Sequence, residues 1–469
     1  VRWHEHCGEL TGEDAEPSVA STGLGQQAGR PDMTVVDLAD TEAELQAVRM
    51  RRVVFASIIG SMIEWYDFTV YGTATALVFN KIFFPSLSPL MGTLVAVSSY
   101  GVGFLARPLG GAIFGHLGDR LGRKKTLVAT VILMGVGTFL IGCLPTYEQV
   151  GVIAPILLIL LRLLQGVGIG GEWGGAVLLM VENAHPKRRG LFGSLVQIGA
   201  PFGVLMSILV FNIVSSNLSN DAFLSWGWRL PFLLSLLLVF VGLWIRLKIT
   251  ETPVFERFKG VVKAERAPIV EVITQHPRMV ITAIALKVSE ISWAIIGSVF
   301  SIAYVTEKLH LPRGTALEAV QIAALVQIVL TPLYGWMSDR LGRKPMYIGA
   351  CLFSLAYAFP VFWLMDLSTS TAITVAVALA VGVGQGVMFG VGATYMSELF
   401  HTGIRYTGAS LGFQIGAALS GGFTPIIAAS LFSATGNATW AISLYLIALA
   451  LITLIATLTA PETAHKPLD

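Results

Sequence analysis

From Val53 onward the chain is a succession of apolar stretches of about 20 residues or more, each long enough to cross a ~30 Å hydrocarbon core. Twelve can be read: 53–79, 91–114, 126–144, 151–181, 190–214, 230–248, 279–304, 316–337, 346–365, 371–399, 407–432 and 438–459. In lipid each stretch has to satisfy its own backbone polar groups, so these are expected to be helices, here called spans 1 to 12. Only 13% of the residues are charged, against about 25% in a soluble globular protein, which excludes a water-soluble fold. Cys7, Cys143 and Cys351 share no motif spacing, so neither a disulfide framework nor a metal site is indicated.

Charge is unevenly placed. Residues 1–48 carry ten acidic residues against Arg2 and Arg30 and have no basic start followed by an apolar core, so a disordered acidic tail is expected rather than a signal peptide. Met33 precedes a more ordinary segment, and residues 1–32 are read as a possible upstream extension of the mature chain. With the N-terminus inside, the inner connections collect 22 of the 31 Lys and Arg, while the outer ones hold Lys81, Arg229, Lys308 and Arg313. This bias predicts a multi-pass cell-membrane protein with both tails in the cytoplasm. A charged loop at 249–278 divides the spans into bundles at 49–248 and 279–460, with a short tail at 461–469.

The two halves repeat one another. Gly115-His-Leu-Gly-Asp119-Arg120-Leu-Gly122-Arg123-Lys124 returns, 220 residues later, as Gly335-Trp-Met-Ser-Asp339-Arg340-Leu-Gly342-Arg343-Lys344. Gln165-Gly166 returns at Gln385-Gly386, and the spacing of Glu182 and Arg189 returns in Glu398 and Arg405. The loops join spans 2–3 and 8–9. Their Asp119 and Asp339 are placed to accept from neighbouring arginines and to meet the positive N-terminal end of span 11 or span 5 in the other half. Repetition of the whole pattern favours a conformational latch over simple positive-inside anchoring. For Glu182/Arg189 and Glu398/Arg405, gating between halves and surface pairing both stay open. An internal parallel repeat is a transporter signature, with the substrate site expected between the halves near mid-membrane.

The doubled loop, the twelve spans and Arg162-Leu-Leu-Gln165-Gly166 resemble the major facilitator superfamily. Within it, five runs resemble the metabolite:proton symporter family. These are Glu64-Trp-Tyr-Asp67-Phe68, Arg107-Pro-Leu-Gly-Gly111, Gly171-Glu172-Trp173-Gly-Gly, Trp226-Gly-Trp-Arg229-Leu-Pro-Phe and Glu251-Thr-Pro-Val-Phe-Glu256. The resemblance implies proton-driven import of small metabolites such as osmolytes, organic acids or shikimate-like compounds. Osmosensing members are expected to carry a long C-terminal helical extension, whereas Ala460 to Asp469 is all that follows span 12 here.

Away from the span ends, seven acidic or basic residues lie inside the membrane: Glu64, Asp67, Arg107, Arg162, Glu172, Lys287 and Glu290. Each would cost at least ~2.5 kcal/mol facing lipid, so they are expected to face the interior or a wet cavity. Four acids against three bases leave one acid as a candidate to carry a proton. Glu64 and Asp67, three apart, share a helix face. At 1.5 Å per residue Asp67 lies about 21 Å from the inner end of span 1, and Arg162 about 17 Å from the outer end of span 4. A Glu64/Asp67–Arg162 cluster is therefore the expected proton-coupling site, with a purely structural buried pair as the alternative.

Asp67 maps by the repeat onto Lys287, and Arg162 onto Gly382. Lys287 and Glu290 either pair with each other at i,i+3, or Lys287, Arg107 or both hold a substrate carboxylate beside Glu290; Trp65, Tyr66, Trp173 and Trp293 either line its apolar part or serve packing. The basic-x-x-Glu pattern of span 7 resembles shikimate-type members, which implies a hydroxylated carboxylate. Gly166-Val-Gly-Ile-Gly-Gly171 matches a dinucleotide fingerprint but sits inside an apolar helix, where small residues instead let helices approach. No Gly-Lys dipeptide exists, so there is no P-loop. An exporter of the same fold remains open, and a membrane enzyme or receptor is disfavoured because no polar segment after residue 50 exceeds about 30 residues. Lipid, a small solute and a proton are the expected partners; no cofactor, metal, nucleic acid or obligate protein partner is expected.

Overall fold

The computed structural model describes residues 35–87, 89–121, 123–247, 268–401 and 404–466. The chain divides into units Val1–Val48 and Arg49–Asp469, and the membrane spans all belong to the second. The acidic tail expected over 1–48 lies for the most part outside the described residues.

The architecture is all-α: twelve spans in two six-helix bundles related by the internal repeat. Span 1 is the latter part of a helix over Val35–Ala74, prolonged as a π-turn at Thr75–Phe79. Spans 2 and 3 are Pro89–Leu121 and Arg123–Gly142. Spans 4, 5 and 6 occupy Ile153–Asn183, Pro186–Asn217 and Gly227–Trp244. In the second half, spans 7 and 8 are Pro277–Lys308 and Arg313–Leu341, and spans 10 to 12 are Ser370–Glu398, Arg405–Ala434 and Trp440–Thr459. Span 9 is bent by 46° between Arg343–Tyr357 and Pro360–Asp366. Pro360 causes the bend, because its ring has no N–H to continue the helix ladder.

Two departures from simple helices follow the repeat or serve the contact between halves. Spans 1, 7, 10 and 11 each contain π-turns, and Thr75–Phe79 in span 1 answers Ile296–Phe300 in span 7, close to the repeat offset. Such widened turns are common at functional hinges. Span 4 breaks at Gly171 and Glu172, between Ile153–Gly170 and Trp173–Asn183. Carbonyls at the break find donors in the opposite half: Gln414 Nε2 donates to Gly170 O and Tyr406 Oη to Gly171 O, both at 3.0 Å. A break at membrane depth is tolerated because those groups are satisfied by protein.

The Gly-rich run of span 4 is a packing device. A Cβ on Gly166 would stand 2.2 Å from Gly103 O, and one on Gly170 2.1 Å from Arg107 O, so only glycine admits span 2 this closely. That approach sets Arg107 and Arg162 on adjoining helices. Across the halves, span 2 meets span 11, while span 5 meets spans 8 and 10.

Candidate functional site

A cavity lies where the halves meet. Its walls are Trp65 and Phe68 of span 1, Arg107 of span 2, Glu290 of span 7, and Phe389 and Phe413 of spans 10 and 11. The free space is about 40 Å³. That holds a water or two, each occupying ~30 Å³ in the liquid, so a metabolite fits only if the walls part.

On the first-half side the charges are caged by aromatic rings. The Arg107 guanidinium lies 4.6 Å from the Phe68 ring centre and 4.4 Å from Phe104. Arg162, fully buried, lies 4.5 Å from the same Phe68 and 4.1 Å from Tyr71. One ring of span 1 therefore separates two guanidinium groups, each attracted to its face. A polar relay continues from Arg162: Nη1 donates to Gln165 Oε1 at 3.1 Å, Gln165 Nε2 to Thr138 Oγ1 at 2.6 Å, and Thr138 Oγ1 to Met134 O at 3.1 Å.

Asp67, beside Phe68, is fully buried; neither carboxylate oxygen makes a hydrogen bond of good geometry among the described residues, and the Thr138 hydroxyl is close by. Arg162 and Glu172 are the charged groups whose fields reach it. Glu64 and Glu172 are buried as well, at 6% and 2% exposure. Tyr66, expected on the apolar side of the substrate site, is committed elsewhere. Its hydroxyl donates to Pro231 O at 2.7 Å at the start of span 6, and it does not line the cavity.

On the second-half side Lys287 and Glu290 pair with each other. The ammonium donates to Oε1 at 2.5 Å and Oε2 at 2.6 Å, with both side chains buried. One helical turn puts them on the same face, as the three-residue spacing dictates. Lys287 Nζ also lies 4.3 Å from the Phe413 ring centre. Trp173 stacks on Phe413 with centroids 4.0 Å apart, and its Nε1 donates to Gln197 Oε1 at 3.3 Å. Trp293 stacks on Tyr357 within the second half and lies outside the cavity lining.

The loop after span 8 clasps the other half. Asp339 Oδ1 accepts from Gly190 N at 2.8 Å and Oδ2 from Leu191 N at 2.9 Å, in the first turn of span 5. A carboxylate there meets unsatisfied N–H groups and the positive helix end together. Arg343 Nη1 braces Asp339 at 2.9 Å, and its Nε and Nη2 donate to Glu398 at 3.2 and 3.3 Å. Gly335 is required here, since a Cβ would stand 2.5 Å from Gly190 O. Arg340 points away, over the exposed Trp336 at 4.0 Å. Arg405 Nε donates to Phe400 O at 3.0 Å within its own half, and Glu182 is half-buried. The side chains of Asp119, Arg120 and Arg123 lie outside the described residues. Among the described residues this latch end is closed by these contacts, whereas at the opposite end a cavity of about 350 Å³ separates Leu77 and Asn80 of span 1 from Val299 to Arg313.

The sequence reading missed Glu462. Its Oε1 accepts from the backbone N–H of Arg343, Thr463 and Ala464, and its Oε2 from that of Lys344, at 2.8–3.0 Å. It caps the first turn of span 9 from beyond span 12. Thr463 Oγ1 donates to Glu398 at 2.7 Å, and Arg189 of the first half donates to Lys466 O at 2.9 Å. The segment after span 12 is thus a strap across the latch. The signal available was a Pro-Glu-Thr turn after span 12, which names no partner.

Burial works to raise the Glu462 carboxyl, but the four N–H groups outweigh it and hold it below its ordinary value of 4.5. The strap's contribution is therefore complete above that value and lost as pH falls through the lowered one. A spin label at residue 465 is expected to stay immobile at neutral pH and to gain mobility only after the pH has fallen below the ordinary carboxyl value of 4.5. In Glu462→Ala it is mobile throughout; immobility of that variant at neutral pH contradicts the capping role.

Two bundles meeting at a small charged cavity, shut at one end by a hydrogen-bonded latch, define a membrane transporter rather than an enzyme. The family model described as "Sugar (and other) transporter" matches residues 53–268, and that of the "Major Facilitator Superfamily" matches residues 282–468. The chain is 39% identical to the shikimate transporter of Escherichia coli K12 over 430 residues, covering 91% of this chain and 98% of that one. It is 32% identical to the proline/betaine transporter of the same organism, over 90% and 85% of the two chains. The proton:xylose symporter XylE bound to 6-bromo-6-deoxy-D-glucose shares the fold at a TM-score of 0.72, with 18% identity over 90% of this chain and 98% of that one. The chain belongs to the major facilitator superfamily and, within it, to the metabolite transporters that include the shikimate and proline/betaine carriers.

Proposed function

We propose that the protein imports a hydroxylated carboxylate, shikimate or a related organic acid, together with a proton by alternating access. The observation that carries this reading is Asp67, a fully buried carboxylate with no ion-pair partner in contact among the described residues, within the field of Arg162 where spans 1 and 4 meet. A buried charge without close compensation is costly, and binding a proton removes that cost. Protonation at Asp67, with Glu64 on the same face, frees Arg162 and favours the substrate-loaded state. Arg107 at the cavity wall and Lys287 beneath it supply the cationic contacts, Glu290 holds Lys287 until the substrate carboxylate replaces it, and Trp65 lies on the apolar side with Trp173 packed behind Phe413. Asp119, Arg120, Arg123, Asp339, Arg340, Arg343, Glu182, Arg189, Glu398 and Arg405 form the latch region. The excess of Lys and Arg in connections on the latch side supports a cytoplasmic position for that end and for both tails.

The substrate class is supported by the 39% identity to a shikimate transporter, against 32% to a proline/betaine transporter. The test is uptake by proteoliposomes under an inward proton gradient. Shikimate is expected to accumulate, and glycine betaine and proline to compete poorly. Accumulation of betaine alone supports the osmolyte reading, and accumulation only in inverted orientation supports an exporter.

A further inference from the structure

We propose that Glu271, His276 and His401 form a binding site for a zinc-type divalent cation on the latch end of the second half. Glu271 lies in the first turn of a helix over Pro268–Gln275, within the segment expected to be loop. Val272, fully buried, anchors that helix, which packs against spans 7 and 11. His276 follows it directly and precedes Pro277, where span 7 begins. His401 stands three residues beyond Glu398, at the end of span 10. One donor atom from each residue lies within 4.8 Å of the other two, and the imidazole centroids are 5.6 Å apart.

The donor chemistry selects the ion. Two imidazoles and a carboxylate suit zinc, and nickel or copper next, better than the all-oxygen cations magnesium and calcium. Around zinc, donors at about 2.0–2.2 Å stand roughly 3.4 Å apart. Closing from 4.8 Å takes a side-chain rotation, which the exposed His401 can make. Three protein ligands leave the fourth position to water, the form of a reversible site rather than a structural one.

Occupancy ties the start of span 7 to the end of span 10. Both spans carry π-turns further along, and His401 is next to the segment that holds Glu398 against Arg343. A bound ion therefore stiffens the latch-end portions of two spans that have to move when the latch opens. Slowed transport is the expected consequence. That part rests on the proposed alternating access, whereas binding of the ion does not.

The test uses the full chain and zinc alone. Zinc binding is measured by competition with a chromogenic chelator and by the rise in apparent melting temperature. His4, Glu5, His6 and Cys7 near the N-terminus offer rival donors, so a His4→Ala/His6→Ala variant is compared with His276→Ala, His401→Ala and Glu271→Gln. One zinc per chain is expected, retained in the N-terminal variant and weakened at least tenfold in His276→Ala and His401→Ala. His401 is exposed, so its variant is expected to melt like the parent without zinc, which separates loss of the ion from loss of fold. Unchanged affinity in both His276→Ala and His401→Ala, or loss of the ion in the N-terminal variant alone, overturns the site. Zinc that binds at these residues but leaves uptake unaltered overturns only the stiffening.

Discussion

Lys287→Met is expected to destabilise the protein by about 3–5 kcal/mol, because Glu290 is left as an uncompensated buried charge. The pair is buried: Lys287 is fully buried and Glu290, at the wall of the small cavity, is 2% exposed. Thermal melting in detergent reads the loss. The double variant Lys287→Met/Glu290→Leu removes both charges with side chains of similar volume and is expected to regain most of the stability. Transport then separates the two roles that the i,i+3 spacing allowed. If the pair opens to hold a substrate carboxylate, the double variant melts normally but does not accumulate substrate. If it regains uptake together with stability, the pair is structural and the substrate carboxylate is held elsewhere.

Asp339→Ala is expected to have the second large effect, on conformation rather than folding. It removes two charge-assisted hydrogen bonds to Gly190 and Leu191 and the brace from Arg343. At about 1.5–3 kcal/mol each, the two hydrogen bonds bias the closed latch by roughly 3–6 kcal/mol, more than a hundredfold in population. A cysteine placed at Ser298, in the cavity wall, reports the change. In the parent it is expected to resist an impermeant thiol reagent applied from the latch end. With Asp339→Ala it reacts rapidly from that end, and accumulation against a gradient falls at least tenfold. Equal protection in both proteins contradicts the latch.

The helices were legible because lipid leaves a buried backbone no alternative to internal hydrogen bonds. The expected ends of spans 8 and 12 fall within a few residues of Arg313–Leu341 and Trp440–Thr459. What periodicity did not disclose is where a span yields. The break at Gly171 and Glu172 is stable because Tyr406 and Gln414, some 240 positions away, satisfy its carbonyls. Local sequence carries no sign of that. The bend at Pro360 was readable in principle, since proline cannot continue the ladder.

Within the site, the nearness of Lys287 and Glu290 and the position of Asp339 followed from spacing and from which helix ends share a side of the membrane. The aromatic cage of Arg162 did not, because it depends on how span 4 is rotated toward Phe68 and Tyr71. Tyr66 shows the same limit: it shares its run with Asp67, yet its helix position turns it toward Pro231. Glu462 was hidden because a cap supplied from beyond span 12 leaves no mark on the helix it caps.

Proton coupling through Asp67 is most directly examined with Asp67→Asn, which keeps the shape of the side chain and removes its proton chemistry. The variant is reconstituted and assayed twice, for exchange of labelled shikimate between equal pools and for accumulation driven by an inward proton gradient. Exchange at a rate comparable to the parent with no gradient-driven accumulation is the result expected if Asp67 carries the proton. Full gradient-driven accumulation by Asp67→Asn, repeated in Glu64→Gln, would show that the proton travels by another route.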